Sequence, residues 1–425
     1  CRRGGKIRNR QTVPMSLSNP WFVAALIGVI GVFHLEFFAT LLNLARLGKP
    51  IPRSLEEVFP EETRENLAAY IRDSQRVSFT RDVTLLGVLI VFWWSGGFGW
   101  LQTWAESQGR GPLATSVVVI AVVMLAQTWI SLPFDAWDTF GVEARYGFNK
   151  MTFGTFVSDH IKGLTLGALL GLPVAAVLVW FFQTQTWAAL YAWLFIAAFT
   201  LLMTWLAPRV IMPLFLKFQP MEDGELKEAI FALARKLDFP VAEVSVVDGS
   251  RRSTKANAFF AGFGKTRRIA LYDTLLKSHS TEEIVAILAH EIGHNKCKHV
   301  PVMLGLNLLE MAIMLGLLGW VLKSPEFFAA FGVHGTPVGM GLVLFGMIYK
   351  PLGVLTGLLG LRMSRKHEFE ADAFARKAVG SSVPLVEGLK RLSRDHLAHP
   401  QPHPLTVWLH YSHPPLVERL RALQS

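Results

Sequence analysis

The stretch Thr281-Glu282-Glu283-Ile284-Val285-Ala286-Ile287-Leu288-Ala289-His290-Glu291-Ile292-Gly293-His294 decides how the chain is read. Thr281 and the two glutamates after it are a helix start, with acid in the first turn. Ile284, Val285, Ile287 and Leu288 then recur at helical spacing. His290 and His294 are four apart, so they share one face of that helix, one turn from each other. Two imidazole nitrogens so placed can meet one ion. Glu291 lies about 100° round the helix, near enough to touch a water held at such an ion without ligating it.

Immediately after this helix, at Val300, an apolar block begins. A bilayer core of about 30 Å needs about 20 apolar residues in a helix. Seven blocks qualify: 21–45, 83–105, 115–134, 163–182, 187–207, 300–322 and 338–361. Pro173 and Pro351 sit inside two of them, as membrane helices tolerate. Seven such lengths exceed what one soluble core would hold, which excludes an ordinary soluble enzyme. The composition agrees, with 51% hydrophobic and 17% charged residues in 425, against about 25% charged in soluble domains. The first block is too long for a signal peptide and lacks a small-residue cleavage site. Cys1 and Cys297 are too few for a disulfide framework.

The net charge is +10, but Lys and Arg lie mainly between the apolar blocks. That pattern points to a lipid bilayer as partner and not to nucleic acid. Residues 46–82 carry seven Lys or Arg and residues 138–162 carry three, whereas the links near Gly109, Gln183 and Ser324 hold one or none. The positive-inside rule places the basic connections and the C-terminus in the cytosol, and seven crossings then put the N-terminus outside. Arg2, Arg3, Lys6, Arg8 and Arg10 run against this. Met15 is a natural start, which makes residues 1–14 an upstream leader. Nothing in the residues signals an oligomeric state.

The organisation expected is therefore a tail at 1–20, five spans over 21–207, a first polar part at 208–299, two more spans over 300–361, and a second polar part at 362–425. The first polar part holds a helix over 224–237 and β-rich runs at 242–247, 258–263 and 268–272, with a turn at Gly264-Lys265. The second is amphipathic helix broken by Pro400, Pro402, Pro404, Pro414 and Pro415. The fold class is mainly α: a polytopic membrane protein with a small α+β domain.

Zinc takes three protein ligands and keeps a fourth position open in catalytic sites. The third ligand is expected in Ser364-Arg365-Lys366-His367-Glu368-Phe369-Glu370-Ala371-Asp372. Glu368 and Asp372 share a helix face, and Ala371 leaves room for close approach. Glu368 is assigned to the metal and Asp372 to a ligand histidine, whose tautomer it fixes. Glu370 points elsewhere and is read as solvated or salt-bridging. One zinc ion per chain is expected, with Glu291 as the general base. His413, held before two prolines, is a candidate donor to a developing oxyanion, with Arg419 supporting it or binding a substrate carboxylate. Asn257, Ala258 and Phe259 open a strand whose free edge would bind an extended peptide, with Asn257 clamping one carbonyl.

These residues, taken together and in this order, resemble the Ste24-type integral-membrane zinc metalloproteases, the type I CAAX prenyl proteases of peptidase family M48. The resemblance rests on Gly147-Phe148-Asn149-Lys150, Pro213-Leu214-Phe215, Asp248-Gly249-Ser250-Arg251-Arg252-Ser253, the strand at 257–262, His290–His294, Glu368–Asp372 and Ser412–Arg419. It implies that His290, His294 and Glu368 bind zinc and that Glu291 is the base. Asp372 would stand behind the ligands, with Asn257, His413 and Arg419 contacting substrate or transition state. It implies seven helices around a water-filled chamber capped by a cytosolic gluzincin-type domain, in a bacterial inner membrane or the endoplasmic reticulum and inner nuclear membrane. The implied reaction removes the -aaX tripeptide from an isoprenylated cysteine in a peptide or protein. Ionisable residues within the spans fit a chamber: His34, Glu36, Glu310 and Lys350.

Two other readings are weaker. An HtpX-like quality-control protease is expected to have fewer spans. A transporter or channel with a structural zinc site would show a repeat, and none is found. It would also need a fourth ligand, and Cys297 and His299 are three and five positions past His294, where neither shares the face of both histidines well.

Overall fold

The computed structural model describes residues 16–424 except 262–266; the basic leader, Met15 and the Gly264-Lys265 turn lie outside it. Among the described residues seven helices are long and apolar enough to cross a membrane: Pro20–Arg46, Glu61–Trp94, Pro112–Glu143, Phe153–Thr184, Ala188–Phe215, His299–Val321 and Val338–Val379. The first starts on Pro20 behind Asn19, whose side chain accepts from the Trp21 and Phe22 N–H groups, satisfying donors that a helix start leaves orphaned.

Two spans depart from the expected bounds. The second was expected at 83–105, but its helix runs from Glu61 and stops at Trp94. Gly96, at φ 76°, reverses the chain, and a separate helix follows over Gly97–Ser107. The left-handed turn needs a residue without a Cβ, and the aromatic residues beyond it mimic a continuing span. The seventh does not end near 361. It continues through Arg362, Arg365 and Lys366 to Val379 as one 42-residue helix and ends at Gly380, φ 87°. The start of the second polar part is therefore the far end of a span.

Apolar packing concentrates at the two ends of the bundle. One core joins the starts of odd-numbered spans to the ends of even-numbered ones: Phe22, Trp93, Val119, Ala192, Leu318 and Leu344 belong to it, and Phe182 packs against it. That set is possible only if the seven helices alternate in direction. The other core joins Leu55, Phe59 and Leu67 to the polar parts, through Ile230, Ile269, Leu288, Ala375 and Leu420. Between the two cores the spans pack lightly. Six of the seven have only 6–11% of their apolar window buried. Within this middle zone Glu310 accepts hydrogen bonds from Thr356 and Tyr349. Glu36 pairs with His410 at 2.7 Å, and His34 bonds the Ile30 carbonyl of its own helix.

The polar part between the fifth and sixth spans carries a four-stranded sheet. Its strands are β1 (Phe218–Pro220), β2 (Glu243–Val247), β3 (Ala258–Ala261) and β4 (Arg268–Tyr272). The order is β1-β2-β4-β3, with β2 and β4 parallel and both outer pairs antiparallel. The short β1 was not expected. The helix Glu225–Lys236 and the helix Thr281–Lys296 pack on this sheet's core. Ser280 caps the latter in a reciprocal box with Glu283: the Ser280 hydroxyl accepts from the Glu283 N–H, and the Glu283 carboxylate from the Ser280 N–H.

Candidate metal centre and cleft

Two helices build the site. Thr281–Lys296 crosses the C-terminal end of Val338–Val379 so closely that a Cβ on Gly293 would lie 3.2 Å from the Ala371 Cα and from Phe374. Small residues on both helices allow this approach, and it brings a turn of each into register. His290 Nε2 is 3.1 Å from His294 Nε2 and 3.4 Å from Glu368 Oε2. His294 Nε2 is 3.3 Å from Glu368 Oε1. Tetrahedral ligands 2.0–2.1 Å from an ion sit about 3.3–3.4 Å apart, so the spacing matches a metal triad.

The chemistry of the donors agrees. His290 Nδ1 is 2.8 Å from Asp372 Oδ1, which fixes its ring proton there and turns a lone pair at Nε2 toward His294 and Glu368. Glu368 is 3% exposed, and its Oε2 is buried without a hydrogen bond among the described residues. Three electron-rich atoms so converged need a cation. Burial works against charge on the His290 imidazole, but the Asp372 and Glu368 carboxylates outweigh it and hold its proton above the usual imidazole range. A metal ion would take that proton's place.

Asp372 is itself held. Arg419, buried, donates from Nε at 2.8 Å and from Nη2 at 2.5 Å to the two Asp372 oxygens, a fork-to-fork pair. Its Nη1 lies 3.3 Å from Glu368 Oε2. Arg419 was read as supporting His413 or binding a substrate carboxylate; in the structure its fork engages Asp372, behind His290 and Glu368, and the residue also lines the cleft with His413. His413 is exposed at the cleft mouth, its Nε2 3.3 Å from Glu368 Oε1 and its Nδ1 engaged with the Ser412 hydroxyl.

A cleft of about 510 Å3 opens onto the triad, and Asn257, Ala258, Glu291, His396, Tyr411 and His413 line it. Glu291 is half-buried and makes no side-chain hydrogen bond among the described residues. β3 is an outer strand, as expected. Asn257 sits at its start, the side chain accepting from the Ala258 N–H and the carbonyl from the Tyr272 N–H. Strand alternation sends Phe259 to the opposite face, near Phe218 and Tyr272, so its side chain does not reach the cleft. Phe260 packs on Phe239 in the core.

Three neighbours of the site were given no role from the sequence. His396 accepts the Ala256 N–H at 3.0 Å and steadies the entry to β3. Tyr411 lines the cleft. His299 touches His294. Helical-wheel reasoning set His299 aside because it assumed a continuing helix. The helix ends at Lys296, and Lys298 adopts φ 60°, which swings His299 back toward His294. Cys297 remains exposed.

The sequence matches two family models. Residues 40–217 match "CAAX prenyl protease N-terminal, five membrane helices", and residues 220–425 match "Peptidase family M48". The chain is 36% identical over 416 residues to a protein from Oryza sativa subsp. japonica named CAAX prenyl protease 1 homolog, covering 96% of this chain and 98% of that one.

The chain belongs to peptidase family M48.

Similar proteins include CAAX prenyl protease 1 of Saccharomyces cerevisiae, 32% identical with 95% of each chain covered. The human CAAX prenyl protease 1 homolog is 32% identical, with 88% of this chain and 89% of that one covered. The fold is similar to the crystal structure of S. mikatae Ste24p, with a TM-score of 0.90 and 32% identity over 96% of this chain and 99% of that one. This M48 member is an integral-membrane metalloprotease with seven apolar helices and a small mixed sheet.

Proposed function

We propose that this M48 peptidase is a zinc endopeptidase that removes the C-terminal -aaX tripeptide from isoprenylated CAAX proteins. The observation that carries the reading is the convergence of His290 Nε2, His294 Nε2 and a buried Glu368 oxygen beside a cleft that holds an outer strand. The names of the rice, yeast and human relatives support the substrate class.

His290, His294 and Glu368 would hold the zinc. No further His, Cys, Asp or Glu joins their group among the described residues, which leaves a coordination position for chemistry. When bound, zinc polarises the scissile carbonyl and lowers the pKa of a water toward about 7. The Glu291 carboxylate takes the proton of the attacking water and returns it to the leaving amine nitrogen. His413, through Nε2, donates to the oxygen that gains charge. Asp372 keeps His290 in the tautomer that points Nε2 inward, and Arg419 keeps Asp372 in place. The β3 edge offers main-chain groups to an extended peptide, with Asn257 at the entry.

The lightly packed middle of the seven spans supports a water-filled chamber between the two cores. The basic connections favour the cytosolic side for the sheet, the metal centre and the C-terminus, where a prenylated tail resting on the bilayer would reach them.

The test incubates the purified chain with a farnesylated CAAX peptide and an unprenylated control, and reads the cut site by mass. Loss of the last three residues, faster for the farnesylated peptide, is expected. Equal cleavage of both removes the prenyl specificity, and no cleavage of either removes the substrate class.

A further inference from the structure

The two histidines of the triad are not supported alike. His290 gives its Nδ1 proton directly to the Asp372 carboxylate. Among the described residues no carboxylate reaches His294 Nδ1. Its neighbour is His299 Nδ1 at 3.0 Å, and His299 Nε2 is 2.9 Å from Glu370 Oε2. Lys366 stands 3.5 Å from the other Glu370 oxygen. His299 is 3% exposed, and its ring stacks on His367 at 4.0 Å with the planes 8° apart, so its orientation is fixed.

One set of protons satisfies every contact. With the His294 Nε2 lone pair turned to the triad, its proton is on Nδ1 and donates to His299 Nδ1. The proton of His299 is then on Nε2 and donates to Glu370. We propose that His299 and Glu370 are positioning residues that together fix the tautomer and ring angle of His294, a two-member counterpart of the single Asp372 behind His290. This rests on the reading of His290, His294 and Glu368 as metal ligands.

The rival use of the same atoms is a second metal site, because donors of His299, His367 and Glu370 lie within 4.8 Å of one another. The stacking speaks against it. Ligand lone pairs lie in the imidazole plane, and two nearly parallel rings direct theirs side by side instead of toward one point. Both nitrogens of His299 are also engaged already.

The test measures zinc affinity of the full-length purified chain by competition with a chromogenic chelator, zinc stoichiometry, and thermal unfolding of the metal-free protein. His299→Asn places an acceptor oxygen where Nδ1 was, whereas His299→Gln and His299→Ala do not. Gln and Ala should weaken zinc binding about 10–100-fold, with Asn within a few-fold of the native chain. Glu370→Gln should weaken binding in the native background and add nothing to His299→Asn. Metal-free unfolding should stay close to native in all four.

Equal losses for Asn, Gln and Ala, or no loss in any, overturn the relay. A second equivalent of zinc that disappears with His299→Ala and with His367→Ala overturns it in favour of a second site. Glu368→Ala is the separate control. Full zinc in that variant sinks the ligand reading itself, whereas zinc lost there but kept in His299→Ala sinks only the relay.

Discussion

Glu291 is set apart from the other carboxylates of the site by having nothing to hold. Glu368 faces the two histidines and Asp372 faces His290 and Arg419, while Glu291 borders the cleft without a hydrogen bond among the described residues. A general base needs that freedom, because it must gain and release a proton within one turnover. Glu291→Gln keeps the shape and removes the base. It should retain about one equivalent of zinc by elemental analysis while peptidase turnover falls about 10²–10⁴-fold. Turnover near the native rate would take Glu291 out of the mechanism. At this scale the sequence was informative wherever the geometry was local. His290 with His294, and Glu368 with Asp372, are four-residue spacings on single helices. The Asp372 partner of Arg419 and the contact of His299 with His294 were not legible, because both depend on how separate pieces meet.

At the scale of elements, the site is one helix crossing another. The crossing is close because Gly293 meets Ala371 and Phe374. A Cβ there sits a few tenths of an ångström too near, and a branched side chain would force the helices apart. Gly293→Val should therefore lower zinc affinity by at least tenfold in chelator competition. Gly305→Val, in open space on the sixth span, should leave it unchanged. Equal affinity in the two variants would show that the crossing tolerates widening. The spans themselves were legible because length and apolarity suffice to mark them. Their true ends were not. Gly96 halts the second span inside an aromatic stretch, and the seventh span and the amphipathic helix read from 362 onward are one continuous helix.

The whole molecule has an acid-labile side. His279, His396 and His399 are held below the usual imidazole range, chiefly by burial. His396 accepts the Ala256 N–H and His399 accepts the Gln401 N–H, which only an unprotonated nitrogen does. The unfolded chain takes up these protons more readily than the folded one. Their contribution to stability is therefore complete above the ordinary imidazole pKa of about 6.5 and is lost as the pH falls below it. The thermal midpoint should drop between pH 7 and 5. His396→Gln, which keeps an acceptor near the Nε2 position, should show a shallower drop, and an identical slope would free His396 of this role.

The helix Val338–Val379 is a single rod about 63 Å long by its 42 residues. Its only proline, Pro351, falls between the end that begins in lipid and the end that carries Glu368. Where the helix stays straight through that proline, tilt imposed on the lipid-borne part reaches Glu368. The expected outcome in proteoliposomes is that hydrolysis of a soluble peptide peaks at one hydrocarbon thickness and falls in thinner or thicker membranes, where mismatch leans the rod. A flat response across that series would mean that the rod bends before it transmits.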